Sequence, residues 1–186
     1  MISNINLNLI TQLIIGIFFV AVIAISFIYK NSKISKIIND NIKPRYTNAF
    51  STILIPIAVI LLIKIPLIRV IGVPNVEGHF LVNIILFTIF SPIFEEVFFR
   101  GILIGIFFYF IKTKIKINYL TGGLYIILLS LFFSFLHKQE NIQFFILVFD
   151  GIIYSIFYLI NKNNILPPII AHSTSNFIIL FYGLFK

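Results

Sequence analysis

Residues 91–101 read SPIFEEVFFRG, and they place two adjacent glutamates, Glu95 and Glu96, and Arg100 inside a long run of Ile, Leu and Phe. An acidic residue that faces lipid unpaired at the centre of a membrane span costs about 2.5–3.5 kcal/mol. Folded proteins are stable by only about 5–15 kcal/mol. These groups must therefore face protein or a wet cavity, which predicts a helix bundle with a polar centre.

The composition of the whole chain also indicates a membrane. The 186 residues are 60% hydrophobic and 11% charged, whereas a soluble domain is about half apolar and about a quarter charged. The net charge of +8 would suggest nucleic acid in a soluble protein, but the basic residues cluster between apolar runs. We therefore expect the lipid bilayer as a partner and no nucleic acid. The lack of cysteine excludes a disulfide framework, a thiolate metal site and a cysteine nucleophile.

Six apolar segments are long enough to cross a bilayer core of about 30 Å. We predict an all-α, polytopic transmembrane helix bundle with a catalytic core in the last four spans, in the plasma membrane of a bacterium. Residues 1–79 form an N-terminal transmembrane hairpin with a basic loop, and 80–186 form the core. The predicted spans are 9–29, 50–72, 80–111, 119–137, 142–160 and 165–185.

The third span is longer than one straight crossing requires. Ser91 and Pro92 lie inside it, so we predict a break or kink just before the glutamates.

The spacing of the charged residues in the third span suggests acid–base catalysis. On a helix, Glu96 and Arg100 share a face and can pair, while Glu95 is rotated by about 100° from Glu96. The two carboxylates can then differ in proton affinity, as acid–base catalysis requires. The alternative is a structural ion pair with one spare acid.

Other polar residues within the apolar segments need partners. His172 and Asn176 are four apart and share a face of the last span, and His137 ends the fourth span. Asp150 lies in mid-span and is a candidate partner of Arg100, of Lys64 or of a histidine, or part of an ion path. Lys64 must snorkel or face protein.

Two carboxylates and two imidazoles from three helices are enough to bind and deprotonate a water molecule. An arginine and an asparagine can orient those groups or stabilise an oxyanion. The chain has no cysteine and no serine in a recognisable nucleophile motif. Water activation is therefore the natural chemistry for this set.

Three short motifs follow one another from Glu95 to Asn176. EEVFFR fits E-E-x-x-x-R, FSFLH fits F-x-x-x-H, and HSTSN fits H-x-x-x-N. In this order they resemble the CPBP intramembrane proteases (CAAX protease and bacteriocin-processing, or Abi, family), whose relatives include the type II CAAX prenyl endopeptidases. The resemblance implies an endopeptidase that hydrolyses a peptide bond in a membrane-associated protein or peptide. It also implies CAAX-type or bacteriocin-type processing, or self-immunity.

The resemblance implies a role for each motif residue. Glu95 is the general base that activates water, and Glu96 assists it while Arg100 fixes the carboxylates. The histidines bind the water or a metal, or stabilise the tetrahedral intermediate, and the asparagine completes an oxyanion site. The implied catalytic set is Glu95, Glu96, Arg100, His137, His172 and Asn176.

The cofactor and the wider function stay open at this point. A zinc enzyme with Glu96, His137 and His172 as ligands and a metal-free glutamate peptidase need nearly the same groups. Two other classes of protein are alternatives to a protease. One is a non-catalytic membrane immunity or scaffold protein, and the other is an ion-coupled transporter that uses the buried charges.

Overall fold

The computed structural model describes residues 48–71, 84–107, 119–139 and 141–184. The predicted first span, 9–29, and most of the basic loop after it lie outside the described residues. All the regular structure in the described part is helical, which confirms the all-α prediction. The α-helices are α1 (Ile55–Ile71), α2 (Ser91–Glu96), α3 (Tyr119–Leu136), α4 (Asn141–Ile160) and α5 (Leu166–Leu184).

Three stretches of π-helix adjoin the α-helices. Phe50–Leu54 precedes α1, while Ile84–Phe90 and Val97–Ile104 flank α2 without interruption. The predicted break before the glutamates is therefore wrong: Phe90 keeps helical dihedrals, φ −69° and ψ −50°. Pro92 lies in the first turn of α2, and because the preceding segment is also helical, the missing N–H of proline leaves one carbonyl of that segment without its helical hydrogen bond. The chain changes its helix type at that point and stays helical.

Helix α5 is the centre of the bundle, since it packs against α1, α2, α4 and the segment Ile84–Phe90. Its start has a local cause. The Asn164 side-chain oxygen accepts a hydrogen bond from the Leu166 N–H at 3.1 Å, and prolines follow in the first turn, where they are well tolerated. Among the described helices, the most extensive helix–helix contact joins α3 to α4.

The outside of the bundle is apolar. Two helices, Phe50–Arg69 and Asn141–Ile160, are long and apolar enough to cross a membrane, and Leu120–Leu136 is a shorter apolar helix. Large apolar side chains such as Leu62 and Phe135 are exposed on these helices. An apolar exterior around buried charges is the arrangement expected in lipid. The number of spans stays a prediction.

Lys64 of α1 and Asp150 of α4 form a buried ion pair, and both residues are at most 3% exposed. The sequence left Arg100, Lys64 and a histidine as candidate partners of Asp150, and the structure shows that the partner is Lys64. It also accounts for Lys64, which faces protein and does not snorkel to an interface. The pair ties α1, from the predicted N-terminal hairpin, to the core.

Helices α3 and α4 approach each other closely at Gly151. A Cβ atom placed on Gly151 would lie 2.9 Å from Cβ and 3.2 Å from Cα of Ser130. Only glycine lets the backbones come this near, as small residues do at helix contacts in membranes. The contact matters for the site, because the Gly151 carbonyl accepts a hydrogen bond from Arg100.

Gly151→Ala should lower the stability of the protein by about 1–3 kcal/mol, because overpacking must push α3 and α4 apart. Gly123→Ala is the matched control, since a Cβ on Gly123 meets no atom of the described residues within 4 Å. The control should be neutral or slightly stabilising. Thermal unfolding of both variants in detergent measures the difference, and equal midpoints would contradict the close contact.

Candidate active site

The six predicted catalytic residues come from three parts of the fold. Glu95 and Glu96 end α2, and Arg100 lies one turn further along the same helical run. His137 follows α3 directly, and Lys138 after it adopts a left-handed backbone, φ 50°, which ends that helix. The remaining two residues lie on α5. The structure brings Glu95, Glu96, Arg100 and both histidines into contact at the end of α2, whereas Asn176 contacts the segment before α2.

Glu96 is fully buried, with 0% exposure. Its Oε1 accepts hydrogen bonds from Nη1 of Arg100 at 3.0 Å and from Nδ1 of His172 at 2.8 Å. The i,i+4 pair that the sequence spacing predicts is therefore present. The carboxylate is committed to holding two neighbours, and so it is poorly placed to act on a substrate.

Arg100 ties three elements together from its buried position. Its Nη2 donates a hydrogen bond to the carbonyl oxygen of Gly151 at 2.7 Å. The guanidinium carbon also lies 5.2 Å from the ring centroid of Phe133 and 5.5 Å from that of Tyr154. Such cation–π contacts gain strength when they are desolvated. Arg100 thus neutralises Glu96 and fixes its position relative to α3 and α4.

Glu95 is arranged differently. Its Oε1 accepts a hydrogen bond from the hydroxyl of Ser91, one turn earlier on the helix. Its Oε2 is buried and accepts no well-formed hydrogen bond from the described residues. The Nε2 atoms of His137 and His172 lie 3.3 Å and 3.8 Å from this oxygen. One carboxylate oxygen and two imidazole nitrogens therefore converge on a common point.

The second nitrogen of each ring indicates its tautomer. Nδ1 of His137 lies 2.8 Å from the carbonyl oxygen of Phe133, and Nδ1 of His172 faces the Glu96 carboxylate. Both partners are acceptors, so both Nδ1 atoms carry hydrogen. In a neutral His137 ring, Nε2 is then an acceptor beside another acceptor, Glu95 Oε2. A water molecule, which donates two hydrogen bonds, suits such a pair of acceptors.

Asn176 lies one turn after His172 on α5. Its Nδ2 donates a hydrogen bond to the carbonyl oxygen of Phe87 at 2.7 Å. This bond fastens α5 to the segment Ile84–Phe90, and it uses only one of the two amide hydrogens. The second hydrogen is available to another acceptor.

The predicted zinc ligands, Glu96, His137 and His172, do not converge on one point. Glu96 Oε1 lies on the Nδ1 side of His172, whereas Nε2 of both rings faces Glu95. A catalytic zinc needs three protein ligands around one ion. In the described part of the chain, no group of three His, Cys, Asp or Glu side chains has the arrangement of a metal site. The predicted metal set therefore does not fit.

Sequence reasoning missed three groups of the site. Ser91 had a usable signal, because it is four residues before Glu95 and hence on the same helical face. The carbonyl of Gly151 carries no side-chain signal at all. Tyr154, which stacks on His172, looks in the sequence like any other aromatic core residue.

The family model of the type II CAAX prenyl endopeptidase Rce1-like proteins matches residues 77–178 of the chain, which is more than half of its 186 residues. The chain belongs to this family. No match was found among curated proteins or among solved structures. The matched region contains all six predicted catalytic residues. The protein is accordingly a CAAX-type intramembrane protease of the wider CPBP family.

Arg100→Met should destabilise the protein by about 3–5 kcal/mol, because it leaves the Glu96 carboxylate buried without its cation. Adding Glu96→Gln should restore most of that loss, since the second substitution removes the stranded charge. Thermal unfolding of the single and double variants in detergent measures both effects. A double variant as unstable as Arg100→Met would show that the ion pair is not the cause.

Proposed function

We propose that the protein is an endopeptidase in which Glu95 and His137 activate a water molecule to hydrolyse a peptide bond within or beside the membrane. The observation that carries this proposal is the unsatisfied Oε2 of Glu95, which faces two imidazole Nε2 atoms. An acceptor carboxylate in an apolar bundle costs free energy unless a donor reaches it. A substrate water is such a donor.

In the first step, the water donates hydrogen bonds to Glu95 Oε2 and to Nε2 of His137. Glu95 takes one proton as the water oxygen attacks the carbonyl carbon of the peptide bond. The hydrogen bond from Ser91 orients the carboxylate, and the Phe133 carbonyl orients the imidazole. Preorganised groups of this kind supply general-base catalysis without a rearrangement at the moment of reaction.

The attack converts the carbonyl oxygen into an oxyanion. His172 and the second amide hydrogen of Asn176 lie on one face of α5 and can donate hydrogen bonds to it. In this proposal His172 carries its Nε2 proton before the attack begins, and its Nδ1 donates to the Glu96 carboxylate, so no proton has to reach His172 during the step. A carboxylate that orients a histidine in this way favours its imidazolium. Donors aimed at a developing oxyanion are often the largest single contribution to catalysis.

In the last step, the tetrahedral intermediate collapses. The carbon–nitrogen bond breaks, and the proton held by Glu95 moves to the leaving amine nitrogen. The immediate products are an amine and a carboxylic acid that keeps the oxygen and the hydrogen of the attacking hydroxide, and transfer of the acid proton to the amine then gives a carboxylate and an ammonium. We propose a membrane-associated protein or peptide as the substrate, in CAAX-type or bacteriocin-type processing or in self-immunity.

The ion-coupled transporter loses its main support in this fold. Its motivation was Asp150 and Lys64 together with the two glutamates, and Asp150 and Lys64 form an ion pair with each other. The non-catalytic immunity protein is separated from the protease by the variants described next.

Glu95→Gln should lower peptide cleavage by at least about a hundredfold, as expected for a lost general base. The substitution keeps the size of the side chain and an oxygen that can accept from Ser91, so the fold should persist. The measurement is cleavage of a membrane peptide by purified protein in proteoliposomes, with ¹⁸O-water to trace oxygen into the new carboxylate. Gly123→Ala is the control and should retain full activity. Equal cleavage by Glu95→Gln would refute the assignment of the base.

Chelators should leave cleavage unchanged, because the proposed water activation uses side chains alone. The measurement is activity in increasing EDTA and 1,10-phenanthroline, alongside elemental analysis of the purified protein. The contrary result is one zinc per chain whose removal abolishes cleavage and whose return restores it. That result would transfer the activation of water from Glu95 to a metal.

A further inference from the structure

Tyr154 of α4 lies against the imidazole of His172. The two ring centroids are 4.9 Å apart, and the ring planes differ by 19°. Tyr154 is 1% exposed, so the contact is fully desolvated. Stacked aromatic pairs of this kind stabilise a particular relative orientation beyond the area that they bury. The tyrosine is not part of the three motifs.

The hydrogen bond from His172 to Glu96 is not enough to orient the ring. A hydrogen bond at Nδ1 tolerates a range of angles, so it leaves the imidazole some freedom to turn about its Cβ–Cγ bond. Rotation would move Nε2, which lies 3.8 Å from Glu95 Oε2. A flat surface against the ring face removes this freedom, and Tyr154 provides one. Phe133 meets the same ring edge-on at a centroid distance of 5.8 Å.

Tyr154 is itself held firmly. Its ring faces the guanidinium of Arg100 at 5.5 Å, and its hydroxyl lies near the side chain of Ser175. The turn of α4 that carries it is anchored at two further points. Asp150 pairs with Lys64 of α1, and the Gly151 carbonyl accepts from Arg100.

We propose that Tyr154 is a positioning residue, which fixes the plane of the His172 imidazole so that Nε2 points towards Glu95 and the reacting carbonyl. This inference rests on the proposed peptidase function. Tyr154 does not touch the substrate, and it acts only through His172. The ring carries the effect, because the stacking contact involves the ring face and the hydroxyl points to Ser175.

Three variants separate positioning from general packing. Tyr154→Leu removes the ring, Tyr154→Phe keeps it, and Phe157→Leu removes another buried ring of α4 from the same core cluster. We expect Tyr154→Leu to lower kcat about tenfold, the upper end of the range for an aromatic pair, with KM unchanged. Tyr154→Phe should retain nearly full activity, and so should Phe157→Leu. A Tyr154→Leu enzyme with wild-type kcat, or an equal loss in Phe157→Leu, would overturn the proposal.

An NMR measurement tests the same contact without catalysis. The chain has three histidines, so selective ¹³C,¹⁵N-histidine labelling gives few ring signals, and His172→Gln identifies the one from His172. The ring current of Tyr154 should shift that signal in the wild type and in Tyr154→Phe. In Tyr154→Leu it should move and broaden as the imidazole gains freedom. An unchanged signal would refute the positioning role.

The two measurements also distinguish this inference from the proposed function. A wild-type protein that cleaves no peptide, but shows the Tyr154-dependent shift of His172, would refute the peptidase mechanism and leave the ring contact established. A wild-type protein that cleaves peptide through Glu95, but tolerates Tyr154→Leu in both measurements, would refute the positioning role alone.

Discussion

The buried contact between Glu96 and Arg100 is the interaction on which the rest of the site depends. Two opposite charges at 1% exposure or less are tolerable in an apolar bundle only when each is paired and hydrogen-bonded. The partners that complete the pairing come from elsewhere: His172 from α5 and the Gly151 carbonyl from α4. Satisfying one ion pair therefore brings two further helices, α4 and α5, to the end of α2.

The same contact gives the two adjacent glutamates different roles. Glu96 pairs its charge with Arg100 and uses Oε1 to accept from Arg100 and His172, so we assign it a structural role. Glu95 is rotated away from the arginine by the helix, and its Oε2 faces the two Nε2 atoms. Adjacent carboxylates thus acquire different environments without any special backbone, which is the condition for separate acid–base roles. The helical period alone produces this asymmetry.

The sequence predicted those parts of the site that follow from spacing along one helix. The Glu96–Arg100 pair and the shared face of His172 and Asn176 both follow from an interval of four residues. Contacts between helices were not predictable in this way. The partner of Asp150 stayed open, because spacing along a chain does not reveal which helices become neighbours. The changes between α- and π-helix were also missed, since a different hydrogen-bond period has no composition of its own.

The anchoring of the site extends beyond the region that the family model matches. Residues 77–178 contain Asp150 but not Lys64, which α1 supplies from the predicted N-terminal hairpin. Without Lys64 the buried carboxylate of Asp150 would be stranded, at a cost of about 3–5 kcal/mol. The loss of stability would be greatest near Asp150 on α4. The same turn carries the Gly151 carbonyl, which accepts from Arg100, and the Tyr154 ring, which stacks on His172. Through the Lys64–Asp150 pair, α1 therefore contributes to the structural support of the active site.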